Sequence, residues 1–225
     1  MCLSFSANAQ RIGRKNLAGF DNKTFHFGFI LSGNKSDFSF SMVEDSTFSS
    51  GLMGISNAPQ SGFNLALLGS AKLGRHLSLR FVPGLSFQDR GLNYTFAQDI
   101  GVDNILKRTE AVNLDLPLLL KIRTDRLTNF AAYALVGAKF SKDMQSQEET
   151  NQQLASDFIL RLESGNSSID LGAGVDIFLP FFKFSVEGKF ELGRRNILIQ
   201  DESRYSAPLE SLRTRSFILS ICFEG

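Results

Sequence analysis

The sequence predicts an all-β chain, specifically an eight-stranded antiparallel up-and-down transmembrane β-barrel. Three observations lead there. Eight segments alternate apolar and polar residues with period two, the strand signature. Short and long connections alternate strictly between those segments. The polar faces mix glycine and serine with charges of both signs, while the apolar faces carry almost no ionisable group.

The strands follow in chain order. "TFHFGFILS" (24–32) sets Phe25, Phe27, Phe29 and Leu31 against His26, Gly28, Ile30 and Ser32. "GFNLALLGSAKL" (62–73) opposes Phe63, Leu65, Leu67 and Ala71 to Asn64, Ala66, Ser70 and Lys72. "HLSLRFVPGLSFQDR" (76–90) gives Leu77, Leu79, Phe81, Leu85 and Phe87 one face, and Ser78, Arg80, Gly84, Ser86 and Gln88 the other. "VNLDLPLLLKIRT" (112–124) alternates aliphatic residues with Asn113, Asp115 and Lys121. Pro117 lacks the N–H a ladder needs, so a β-bulge is expected there. Pro83 in the neighbouring strand faces the opposite way, so a local irregularity is expected between the third and fourth strands. "NFAAYALVGAKF" (129–140), "SIDLGAGVDIFL" (168–179), "FKFSVEGKFELG" (182–193) and "SFILSICF" (216–223) complete the set.

Short connections fall near 74–75, 125–127 and 180–181, and long ones near 33–60, 91–110, 141–167 and 196–213. Strict alternation puts all short turns at one end of an up-and-down barrel. Outer-membrane barrels have short periplasmic turns and longer outside loops, which places both termini in the periplasm. Within the third long loop, "LASDFILRLE" (154–163) has the spacing of a short rim helix or an extension of the sixth strand.

Which face turns inward decides between a membrane barrel and a soluble, ligand-enclosing one. An exposed polar face would be richer in long charged residues and poorer in glycine, whereas a narrow lumen needs small residues and balanced charge. The lumen is therefore expected to hold Arg80, Asp115, Lys121, Asp170 and Asp176, together with Lys183, Glu187, Lys189 and Glu191, as a structural polar network. Eight strands leave room for little beyond their own side chains, so no porin-like channel is expected.

Composition narrows the function further. Net charge is +1 over 225 residues, giving no basic excess for nucleic acid. Tryptophan is absent and tyrosine numbers 3, so the 22 phenylalanines must supply any interfacial girdle. Cys2 and Cys222 lie at opposite ends and imply no disulfide framework. No apolar run approaches the roughly 18 residues of a membrane helix. "MCLSFSANAQ" (1–10) reads as the tail of a secretory signal with Ala7-Asn8-Ala9 before the cut. The expected organisation is a signal tail over 1–9, a periplasmic segment over 10–23 and the barrel over 24–225.

No catalytic, cofactor or metal site is expected. The carboxylates suit buried ion pairs better than an acid/base pair. His26 points inward and His76 sits beside a short turn, whereas a lipid-modifying enzyme would want histidine near the outer rim beside a nucleophile. Two histidines without paired cysteines make a poor zinc set. Arg194 and Arg195 could hold a lipid phosphate or mark a solvated strand end. Gly172 and Gly174 form an incomplete glycine motif inside a strand and indicate no nucleotide loop.

Three stretches resemble a known family. "VNLDLPLLLKIR" (112–123) resembles the fourth-strand signature of small Bacteroidetes-type outer-membrane barrels. "LRFVPGLSFQDRGLNY" (79–94) and "DLGAGVDIFLPFFKFSVEGKFELGRRNIL" (170–198) are similar to the PorT family. Asp176, Pro180, Lys183 and Glu187 match its run, with Gly193 and Asn196 after it; Val186 stands where members carry proline. The resemblance implies a non-enzymatic component of type IX protein secretion, serving cargo export and, in gliding bacteria, motility. Its implied partners are outer-membrane lipid, other secretion subunits and the barrel-insertion machinery. The alternatives are a structural or adhesive barrel unrelated to secretion, and a lipid-modifying barrel enzyme.

Overall fold

Period-two alternation becomes nine strands in the computed structural model, which describes residues 15–43, 52–98, 101–144, 162–199 and 206–225. They are β1 (Phe25–Met42), β2 (Leu52–Lys72), β3 (Leu77–Phe81), β4 (Gly84–Gln98), β5 (Gly101–Arg123), β6 (Phe130–Asp143), β7 (Gly165–Phe178), β8 (Lys183–Gly193) and β9 (Leu209–Glu224). All neighbours are antiparallel, and β1 pairs with both β2 and β9, which closes the sheet. β3 and β4 both lie between β2 and β5 and are two pieces of one stave. The barrel thus has eight staves, as the sequence predicts.

The facing is that of a membrane barrel. Phe27, Leu67, Leu118, Phe140, Phe190 and Leu219 are exposed on the outer wall, whereas Arg80, Lys121, Asp176 and Glu187 are buried inside. In water such an arrangement would bury charge and expose hydrocarbon, losing on both counts; in lipid it is the only stable facing. An arginine at Leu67, midway along the apolar wall, is therefore expected to cost about 2–4 kcal/mol of folding stability in a bilayer. Urea titration in phospholipid vesicles checks it, and an unchanged midpoint for Leu67→Arg would contradict a lipid-facing wall.

The strands outrun the predicted segments. β1 continues to Met42, β2 begins at Leu52, and the expected 91–110 loop is a hairpin paired down to Gln98 opposite Gly101. The cause is a change of phase. Lower down, Phe29 and Leu31 point out; higher up the same strand, Phe38 is buried inside while Lys35 and Ser39 face outward. β9 does likewise, with Leu212 inside and Arg213 and Arg215 outside. Phe38, Leu52, Leu92, Tyr94, Phe96, Leu209 and Leu212 close an apolar core in this upper part. Apolar-in above and apolar-out below marks where water replaces lipid along the wall. The region expected to be helical or strand-like at 154–163 lies almost wholly outside the described residues, as does the expected signal tail.

The expected irregularity between the third and fourth strands is present, but it is not a bulge at Pro117. β5 runs unbroken through Pro117, and its register with β6 is constant, so no bulge forms there. The interruption falls in the third stave, at Val82–Pro83, between β3 and β4. Val82 N–H donates to the Pro117 carbonyl at 3.2 Å, but Pro117 has no N–H to return. Leu67 N–H donates to the Pro83 carbonyl at 2.9 Å, and again nothing comes back. Two adjacent residues of one stave therefore each lose one ladder bond, on opposite sides. Pairing with β5 resumes in the same register, Phe81 opposite Leu118 and Gly84 opposite Asp115. The register does shift between β2 and β4, at Leu52/Gly54 and at Pro59/Phe63.

Candidate functional site: the filled lumen

The inward faces of β3, β5, β6, β7, β8 and β9 bring the charges together. The Arg80 guanidinium on β3 spans the bore, donating from Nη1 to Glu187 Oε2 at 3.0 Å and from Nη2 to Glu224 Oε1 at 2.6 Å. Lys183 Nζ donates to the other Glu224 oxygen at 2.7 Å, and Tyr133 Oη to Glu187 Oε2 at 2.9 Å. Lys121 Nζ lies 2.8 Å from both Asp176 oxygens, one of which also accepts from Ser185 Oγ at 2.7 Å. The same ammonium sits 3.6 Å from the centre of the Tyr133 ring, a cation–π contact. Lys189 completes this lower network, 3.5 Å from Glu187.

Glycine makes room for it. A Cβ on Gly174 would lie 2.5 Å from Tyr133 Cζ, so the bare backbone of β7 is what admits that ring into the bore. Gly172 likewise makes room for Lys189, whose Cγ a Cβ there would meet at 2.7 Å.

A second network lies nearer the long-loop end. Lys139 Nζ stands 2.5 Å from Glu191 and 3.2 Å from Asp115. Asp170 is paired in register with Glu191 and keeps a buried Oδ1 without a hydrogen-bond partner. Arg90 contacts Gln88 and lies over the Phe38 ring. Counting both networks, the buried charged side chains among the described residues are six lysines and arginines and six carboxylates. A lumen neutral overall is what a medium that strengthens charge interactions requires.

The short-turn mouth is covered by the segment before β1. Phe20 stacks on His26 at 3.9 Å between centroids and meets Phe178 edge-on at 5.8 Å. Asn16 N–H donates to Asn129 Oδ1 at 2.9 Å, and its side chain donates to the Phe178 carbonyl at 3.0 Å. Asp21 accepts from Arg123 at 2.7 Å and faces Arg126 at 3.5 Å. Partial burial favours the protonated Asp21 carboxyl, but the Arg123 hydrogen bond and the charges of Arg123 and Arg126 outweigh it and hold the group below its ordinary 3.8. A depressed carboxyl stabilises the docked form fully above its ordinary value and loses that contribution as pH falls through the lowered one. Relative to the intrinsic rate at each pH, hydrogen-exchange protection of residues 16–22 is therefore expected to fall at strongly acidic pH in the wild type, and to be low already at neutral pH in Asp21→Asn. Acid-insensitive protection in the wild type would remove the ion pair from this role.

All nine residues expected in the lumen are buried there. Sequence reasoning missed Arg90, Tyr133, Lys139 and Glu224. The first three share the inward parity of their quoted segments, so extending the alternation rule would have found them. Glu224 lies one residue beyond the quoted end of the last strand. Arg195 pairs with Glu163 at 2.9 Å at the end of β8. His76 is exposed beside the short turn, where its Nδ1–H donates to the Arg123 carbonyl at 3.1 Å. Cys222 is buried among Ile30, Leu68, Val82 and Leu119. Asn196 Oδ1 accepts from the backbone amides of Leu198 and Leu212, tying the end of β8 to β9.

Residues 8–198 match the family described as "Outer membrane protein beta-barrel domain". Among solved structures, the outer membrane protein OprG of Pseudomonas aeruginosa superposes with a TM-score of 0.50 at 13% identity, over 95% of this chain and 97% of that one. Ail, the attachment invasion locus protein of Yersinia pestis, was solved with the heparin analogue sucrose octasulfate. It gives 0.42 at 12% identity, over 90% of this chain and 100% of its own. Neisserial surface protein A gives 0.42 at 13% identity, over 90% and 96%. No curated protein matches the chain in sequence. The OprG likeness carries the fold, an eight-stranded outer-membrane barrel, and nothing finer.

Proposed function

The chain belongs to the outer membrane protein β-barrel domain family, and from that premise we propose that it is a non-enzymatic scaffold or assembly factor of type IX protein secretion. The observation that carries a scaffold is the lumen. Paired charges fill its middle, the Phe20 segment covers one mouth, and the apolar core of Phe38, Leu92 and Leu212 fills the other. A bore so occupied passes no cargo, and contact with other subunits falls to the wall, the upper rim and the short-turn end. Neither histidine lies at the long-loop end, which counts against a lipid-modifying active site there.

The secretion assignment rests on the PorT-like run. Asp176, Lys183 and Glu187 of that run all enter the lower network, and Asn196 after it ties down the end of β8. The termini are assigned to the periplasm with the short turns, following the usual asymmetry of such barrels. Expected partners are outer-membrane lipid, further secretion subunits, and the insertion machinery during biogenesis.

Deleting the gene and measuring cargo in the culture medium tests the proposal. Cargo is expected to accumulate inside the cell and to be released again on complementation. Normal cargo release from the deletion strain would leave the structural or adhesive barrel as the better reading. Crosslinking in intact membranes then identifies the neighbouring subunits.

A further inference from the structure

We infer that the short-turn mouth of the barrel holds a binding site for a small oxyanion, a phosphate or carboxylate group, centred on Lys72 and His26. This goes beyond the secretion proposal and does not depend on it. A cavity of about 30 Å³ lies there, lined by Phe20, His26, Ser70, Lys72, Lys121 and Lys183 among others. That exceeds what a single buried water needs.

The charge balance at this end is uneven. Five lysines and arginines line the cavity, with Asp21 as the one carboxylate among its lining residues. Arg75 and Lys121 have their own partners, Asp125 and Asp176. Elsewhere the anions are shared: Asp21 faces both Arg123 and Arg126, and Glu224 faces both Arg80 and Lys183. Lys72 Nζ reaches the backbone carbonyl of Asp21, at 2.5 Å, rather than a carboxylate. The result is a positive excess concentrated round a partly enclosed space, where low-dielectric walls strengthen its field.

His26 supplies an independent sign. It is 7% exposed, its ring is held flat against Phe20, and its Nδ1 is buried with no hydrogen-bond partner. Buried polar atoms of native proteins are nearly always satisfied, so a missing group is implied beside it. A water would satisfy Nδ1 but leave the positive excess untouched. An oxyanion answers both, accepting from the imidazole and the ammonium through charge-assisted bonds. Phe20 and Asp21, from the segment before β1, form part of the cavity wall.

Equilibrium dialysis of the refolded full chain in a maltoside detergent, with radiolabelled orthophosphate as the probe, tests the site. Saturable binding is expected, weakened roughly tenfold or more in Lys72→Met by loss of one charge-assisted hydrogen bond. Lys35→Met, which removes a cation from the outer wall, is expected to bind as the wild type does. Heat-modifiable migration confirms that each variant is folded. Short-chain phosphatidylglycerol added as competitor separates the sources. Displacement assigns the site to lipid headgroups, and persistence assigns it to a soluble oxyanion. Absence of saturable binding in the wild type, or equal affinity in folded Lys72→Met, would mean that only water fills the cavity and would overturn the inference.

Discussion

Replacing Arg80 by methionine is expected to lower folding stability by about 3–5 kcal/mol, the cost of stripping one partner from a buried ion pair. The side chain is inaccessible and hydrogen-bonds to both Glu187 on β8 and Glu224 on β9. Without it, both carboxylates stay in the bore, with Lys183 and Lys189 left to compensate. Urea titration in vesicles, read by heat-modifiable migration, gives the loss. Adding Glu187→Gln to Arg80→Met is expected to recover part of it, because a neutral amide tolerates burial better than an unpaired charge. A wild-type midpoint in Arg80→Met would refute the guanidinium as the keystone of the lumen.

Gly174→Val is the second large effect. Its added Cβ would meet the Tyr133 ring within 2.6 Å and the Val186 carbonyl at 2.7 Å. The ring must leave, taking with it the hydrogen bond to Glu187 and the cation–π contact with Lys121. Overpacking of this kind costs about 1–3 kcal/mol, and the lost polar contacts add to it. Combining Gly174→Val with Tyr133→Ala frees the space, so the double variant is expected to be more stable than the sum of the singles. Strict additivity would show that the ring and the glycine do not compete for one volume.

Much of this architecture is legible from alternation alone, because in a thin wall each residue meets either lipid or lumen. Leu116 and Leu118 face out and Asp115 and Lys121 face in, as the parity of one segment dictates. The same rule loses the upper strands, since above the lipid the apolar residue changes sides. Leu92, Tyr94 and Phe96 look like a loop when outward leucine is the sign of a strand, yet they line an inward core. Proline position is only half legible. That two prolines in adjacent staves must disturb pairing follows from the missing N–H, but which stave yields does not. It depends on the side of the strand toward which each nitrogen points, and therefore on a register that no single segment contains. Pair identities are hidden for the same reason. Parity places Arg80 in the bore, while its choice of Glu187 and Glu224 depends on the closure that brings β3 opposite β8 and β9.

The interrupted stave gives the barrel a preferred line of failure. Around most of its circumference, each strand is fastened to the next by reciprocal bonds, and the wall transmits load evenly. At Val82–Pro83 the fastening is one-way on both sides, towards Leu67 and towards Pro117. A lateral pull on the wall therefore meets its least resistance between β2 and β5, close to the lower ion network. Opening under force, amide exchange from the folded state and the last step of closure during insertion should all localise to this one seam.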